Sequence, residues 1–155
     1  MKRASQLTTN SLTAATLLAV SCALAAESSK KEARVTRIIR DVNLLPSEAK
    51  PRSASLNDQV REGTAVRTGD ESKSELTFLD LTITRLGANS IFSFNKAGRD
   101  VDLTNGSILL RVPKDSGGAT IRTSGVTAGI AGTTVILESP RSGRNKLIVL
   151  EVFPD

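Results

Sequence analysis

Carboxylates are the one class of side chain in this sequence with a plausible route to chemistry. The chain has no His and a single Cys, so a serine nucleophile would lack its usual base and zinc would lack both favoured ligands. Asp58, Asp70, Asp80, Asp100 and Asp115 all fall in turn-like contexts, where aspartate usually accepts backbone N–H bonds. A hydrolase built on paired acids needs two of them converging in a cleft. Asp100 and Asp102 would share a strand face, but no Asp-rich loop with calcium-ligand spacing occurs, and the pair reads as a solvated face. Gly125 to Gly132 is glycine-rich yet lacks the Gly-Lys-Ser/Thr ending and the following helix of a phosphate loop. Four Phe with no Trp or Tyr leave no aromatic platform for sugars or single-stranded nucleic acid. The expectation is a chain that is not an enzyme and holds no cofactor or metal.

The elements around these residues are strands. Ala33–Ile39, Glu75–Phe78, Leu81–Leu86, Ile91–Phe94, Ser107–Val112, Ala119–Thr123, Thr133–Leu137 and Leu147–Leu150 are short and rich in β-branched residues. None sustains a helical period. Val60 and Val66, like Gly63 and Gly69, stand six apart, a spacing that suggests rungs of a small β-stack. Asn105-Gly106 predicts a two-residue hairpin turn. Gly125, Gly129 and Gly132 are separated by small apolar residues, which predicts a buried crossing where the chain folds back through its core. The fold expected is all-β, sandwich-like or short β-solenoid-like, with Gly63, Gly69, Asp80, Gly129, Gly132 and Thr133 at turns and the crossover.

The start of the chain reads differently. Lys2 and Arg3 precede a mostly apolar, uncharged run from Leu12 to Leu24, and Ala23-Leu24-Ala25 satisfies the small-residue cleavage rule. This predicts a signal peptide over 1–25, a flexible tether over 26–32 and a domain over 33–155, placed in the periplasm or secreted. The run is too short for a good membrane span, which needs about 20 residues. In an alternative reading Ala19-Val20-Ser21-Cys22 is a lipoprotein box and Cys22 carries lipid, although Ala19 stands where Leu is usual. Loss of Lys2 and Arg3 lowers the formal net charge from +5 to +3 (5 − 2), too mild to argue for nucleic acid. Export with no cysteine beyond Cys22 excludes the small disulfide-stapled scaffolds.

Leu56 to Val60, Gly63, Val66, Thr68-Gly69, Glu75 to Phe78, Asp80, Leu103 to Gly106, Thr120 to Thr123 and Gly132-Thr133 follow one another over a span of 56–137. In order and spacing these motifs resemble the FecR domain, whose best-known members relay signals through a cell envelope. Leu81 replaces the glycine that usually follows the turn aspartate, so a wider turn is expected there. Ala131 stands where the family often has arginine. Leu147 to Glu151 resembles the start of further sheet, so the domain reads as shortened at its C-terminal end. The cytoplasmic helical segment and transmembrane helix of the signalling regulators are missing from the sequence, so the resemblance is to a free-standing exported domain.

Two function classes follow. One is an envelope module that binds a protein partner, or itself, through a sheet edge formed by Leu147, Val149, Val152 and Phe153. The other is a small-ligand or carbohydrate-binding module. Val152, Phe153 and Pro154 folding over the edge would blunt it, since proline cannot donate to a ladder.

Overall fold

A computed structural model describes residues 32–95 and 99–152. The predicted signal peptide, the tether up to residue 31 and Phe153 lie outside the described residues.

Thirteen strands form one sheet that is folded over on itself. In chain order they are β1 (Glu32–Ile39), β2 (Val42–Leu45), β3 (Arg52–Ser53), β4 (Gln59–Arg61), β5 (Ala65–Thr68), β6 (Lys73–Phe78), β7 (Ile83–Leu86), β8 (Ile91–Asn95), β9 (Asp100–Val112), β10 (Ala119–Arg122), β11 (Thr127–Ile130), β12 (Thr133–Ser139) and β13 (Lys146–Val152). A single 3-10 turn at Lys114–Ser116 is the only helical element among the described residues. The all-β, sandwich-like expectation holds.

β9 is the spine. Its first half pairs with β8 and, in parallel, with β10, whereas its second half pairs with β7 and β12. One half-sheet therefore runs β4-β1-β6-β7-β9-β12-β13, and the other runs β3-β2-β5-β8-β9-β10-β11. Their inner faces share one core. Val35, Leu76, Leu86, Leu110 and Leu137 come from the first half-sheet, and Leu44, Val66, Phe92, Phe94 and Ile121 from the second. Phe78 and Phe94 meet edge to face across the join, with ring centroids 4.9 Å apart.

The fold in β9 falls at Asn105-Gly106, where a hairpin was expected. No turn forms, and β9 continues through the bend as one strand. Val101, Leu103 and Asn105 point inward before the bend, and Ile108, Leu110 and Val112 after it, so the inward set changes from odd to even positions. Alternation in a strand has a period of two, and a one-residue slip would send the second half's apolar set to solvent unless the backbone absorbs it. The backbone absorbs it at the bend: Thr104 is passed over in the pairing with β8, and Gly106 takes φ +97°, a conformation that side chains disfavour. Space is also lacking, because a Cβ here would stand 2.5 Å from Ser90 Cα.

The polar atoms at the bend are bonded to one another. The Ser107 N–H donates to Ser90 Oγ at 3.0 Å, and that hydroxyl is 3.1 Å from the Ser107 carbonyl. The Ser90 N–H donates to Thr68 Oγ1 at 2.9 Å, the Thr68 hydroxyl donates to the Gly87 carbonyl at 2.6 Å, and Asn105 Nδ2 donates to the Asn89 carbonyl. Ser90, Thr68 and Asn105 are all buried, so each bond spares a desolvated polar atom. The Asn-Gly pair here forms a sheet-to-sheet bend.

Two other expectations need correction. Val60 and Val66 are not successive rungs, since β4 and β5 belong to different half-sheets and deliver the two valines into the core from opposite sides. The Gly125–Gly132 stretch does not pass through the core. β10 and β11 form an antiparallel hairpin at the margin, with Gly125 and Gly129 exposed. Within this stretch the change of half-sheet comes at Ala131-Gly132, where Gly132 takes φ +56° and is buried against Lys114.

Candidate interaction edge

β12 and β13 are joined by a loop over residues 140–145, whose Asn145 Nδ2 donates to Thr123 Oγ1 at 3.1 Å and ties it to the β10–β11 hairpin. β12 is paired on both sides, to β9 and to β13. β13 has no second strand partner among the described residues. Opposed residues share a face, which fixes where each side chain of β13 lies. Leu147 stands opposite Leu137 and Val149 opposite Val135, on the core side. Ile148 stands opposite Ile136 on the outer side. Leu150 is the extra residue of a bulge, because Glu151 already pairs with Thr134 while Val149 pairs with Val135.

The apolar face runs on past the core. Leu137 is fully buried, but one strand further out Leu147 is 43 % exposed, Val149 55 % and Leu150 53 %. The opposing half-sheet does not reach far enough to cover them. Behind Ile148 a row continues across the outer face through Ile136 and Leu109 to Arg85 and Glu75, each opposite the next. Arg85 Nε donates to Glu75 Oε2 at 2.6 Å, and the Thr36 hydroxyl donates to Glu75 Oε1 at 2.9 Å. The Arg85 bond is the main reason the Glu75 carboxyl is held below its ordinary range.

The other three sheet edges are shorter, and their exposed side chains are polar or small. β4 shows Gln59 and Arg61 to solvent and buries Val60, with Arg61 Nε paired to Glu32 Oε1 at 2.9 Å. β3 is two residues long, both exposed, with Arg52 bonded to Asp58. β11 exposes Thr127 and Gly129 and buries Ile130. Short charged edges are how sheets ordinarily avoid pairing with other chains. β13 is seven residues long, with Lys146 and Glu151 bracketing its apolar middle.

Of the edge residues expected from sequence, Leu147 and Val149 lie together on the core side of β13. Val152 pairs opposite Thr133, and Phe153 lies outside the described residues. Sequence reasoning left Ile136 and Leu109 out of the site. Their signal was in the chain, since Ile108-Leu109-Leu110, Val135-Ile136-Leu137 and Leu147-Ile148-Val149-Leu150 are apolar at consecutive positions and so must present apolar groups on both faces.

The turn residues take separate places. The Gly63 N–H donates to the Phe94 carbonyl at 3.3 Å, and the Gly69 N–H to the Asp41 carbonyl at 3.0 Å. Asp80 Oδ1 accepts the Thr82 N–H at 2.9 Å in the β6–β7 hairpin, and Leu81 itself takes the left-handed position with φ +64°. The Thr133 hydroxyl donates to the Ala131 carbonyl at 2.8 Å.

The acids are dispersed. Asp58 accepts from Arg52 Nη1 at 2.6 Å and from the Ser55 N–H at 2.7 Å; these two bonds, the arginine's first, hold its carboxyl below the ordinary range. Asp70 accepts from Asn89 Nδ2 at 2.7 Å, and Asp100 lies 3.5 Å from Arg122 Nη1. Among the described residues no three His, Cys, Asp or Glu side chains are grouped to hold a metal ion. An open hollow of about 470 Å³ is lined in part by Arg99, Asp100, Gly117 and Gly118. Its one guanidinium donates to the Ser116 carbonyl at 3.4 Å. No helix among the described residues is long and apolar enough to cross a membrane.

Neither the curated proteins nor the solved structures include a match to the chain. The family model described as FecR protein matches residues 64–152, more than half of the sequence. Compared with the span 56–137 read from motifs, that match starts later and runs on through β13, so the open edge is part of the family's domain. Proteins with this domain act in signalling and partner interactions at the cell envelope. By the extent of that match, together with its all-β folded sheet, the chain belongs to the FecR family.

Proposed function

We propose that the chain is an exported, non-enzymatic module of the cell envelope that binds another polypeptide by adding its strand to β13. The observation that carries this reading is the long edge itself, which no further strand among the described residues pairs, beside half-exposed Leu147, Val149 and Leu150. A guest strand gains main-chain bonds there and covers apolar surface in the same step. The bulge at Leu150 confines regular pairing to Lys146–Val149.

The reading is tested by capture from envelope extract with two variants. Val149→Lys on β13 is expected to abolish capture, and Gln59→Lys on β4 to leave it intact. Equal capture by both would overturn it. A small-ligand or carbohydrate site has the hollow beside Arg99 in its favour, and thermal stabilisation by a panel of sugars and anions is the result that would favour it instead.

The localisation rests on the sequence. We place the signal peptide at 1–25, the tether at 26–32 and the domain at 33–155, with cleavage leaving Ala26 or Glu27 first and no lipid. Intact mass of the exported protein decides this, and a lipidated Cys22 at the N-terminus would overturn it.

A further inference from the structure

We propose that the strand added to β13 is β13 of a second copy of this chain, antiparallel, with a twofold axis at Ile148. This rests on the strand-addition reading and names its partner.

The register follows from symmetry. A twofold axis normal to a sheet keeps every side chain on its own face, and opposed residues of an antiparallel pair share a face. Such a pair closes only when one residue meets its own copy. Centring on Val149 sets Leu147 against the partner's Glu151, and centring on Leu147 sets Val149 against the partner's Asn145. Centring on Ile148 sets Leu147 against the partner's Val149, Val149 against the partner's Leu147 and Ile148 against the partner's Ile148. Centring on Val149 also makes the three central pairs apolar, but it sets Ile148 against the partner's Leu150, the residue of the bulge; only the Ile148 centre keeps all three apolar pairs within the stretch Lys146–Val149 that the bulge leaves regular.

Both faces then gain cover. On the core side, Leu147 and Val149, now 43 % and 55 % exposed, meet their counterparts. On the outer side the row Leu109–Ile136–Ile148 meets its own copy and becomes one apolar band across two chains, ended at each side by the Arg85–Glu75 ion pair. Charge does not oppose the pairing. Lys146 stands opposite the partner's Leu150, beside the partner's Glu151. The two Lys146 residues are four positions apart along the pair, about 13 Å at the rise of a strand and beyond the screening length at physiological salt. Identical edges with this pattern form a closed, isologous contact.

The experiment uses the exported chain produced from a precursor carrying Cys22→Ser, so that residue 22 supplies neither lipid nor thiol. The unaltered edge is expected to sediment at twice the chain mass and Val149→Lys at the monomer mass, with an unchanged far-ultraviolet spectrum. Adding Ile148→Cys is expected to give an interchain disulfide under mild oxidation, because opposed residues stand within disulfide reach. Arg61→Cys on β4 is expected to give none. A chain that stays monomeric overturns the self-pairing; capture of an envelope protein that Val149→Lys abolishes would then leave strand addition standing, so the two readings fail separately. A dimer that survives Val149→Lys, with no disulfide at Ile148→Cys, also overturns it.

Discussion

The bend of β9 and the edge at β13 lie two strands apart in the same half-sheet, and they differ in how their polar and apolar groups are satisfied. At the bend, Ser90, Thr68, Asn105 and the backbone around Gly106 and Ser107 are bonded to one another inside the chain. At the edge, the apolar run Leu147–Leu150 between Lys146 and Glu151 projects beyond the core, with one side of the strand unpaired among the described residues. The bend specifies the fold, and little can be altered in it without loss. The edge leaves apolar side chains that the fold does not cover, and the strand-addition proposal assigns them to a partner.

The contrast is broken most severely at Gly106. Gly106→Val meets both a positive φ and a Ser90 Cα 2.5 Å from the new Cβ, and it is expected to cost about 4 kcal/mol, enough to unfold much of the population of a marginally stable domain. An unchanged denaturation midpoint would show that the bend is not the constraint it is taken to be. Gly132→Val is the milder case. A Cβ there makes ordinary contact with Lys114, so only the φ of +56° resists it, and a loss of about 2 kcal/mol is expected. Both are read by chemical denaturation.

The bend's completeness also throws a defect in the core into relief. Thr84 is fully buried and its hydroxyl has no partner among the described residues, unlike the hydroxyls of Thr68 and Ser90. Thr84→Val removes the unpaired oxygen at nearly constant shape and is expected to raise stability by about 1 kcal/mol. A lower melting temperature would mean that the hydroxyl is bonded in solution.

The smallest effects on stability are expected at the surface. Asp58 and Glu75 keep their charge to lower pH in the folded chain than in the unfolded one, because Arg52 and Arg85 respectively bond to them. Their contribution is therefore complete above the ordinary carboxylate range, about pH 4, and is lost as pH falls below it. Arg85→Gln should flatten the acid limb of a stability-against-pH profile. An acid limb that matches the unaltered chain would show that the Arg85–Glu75 bond does not form in solution.

The strands were legible because alternation and β-branching are local properties, and Glu75–Phe78 and Ile91–Phe94 lie where their patterns placed them. The bend was not legible. Asn105-Gly106 has the same composition in a hairpin as in a bulged strand, and what decides between them is Ser90, distant in sequence, standing where the Gly106 side chain would go. The Gly125–Gly132 stretch misled for a related reason, since small apolar residues suit a buried crossing and a thin marginal hairpin equally. The edge was half legible. Continuous apolar runs identify strands that are apolar on both faces, but which of them lies outermost depends on sheet order, and sequence does not carry that.

Amide hydrogen exchange along β13 measures the edge most directly. In the dilute chain, the β13 N–H groups that point away from β12 should exchange as fast as those on the outer side of β4. As association proceeds, whether with a second copy or with a captured envelope protein, strand addition requires that exchange slow within Lys146–Val149 and stay fast on β4. Association that leaves β13 exchanging freely, or that protects β4 instead, would contradict an interaction edge at β13.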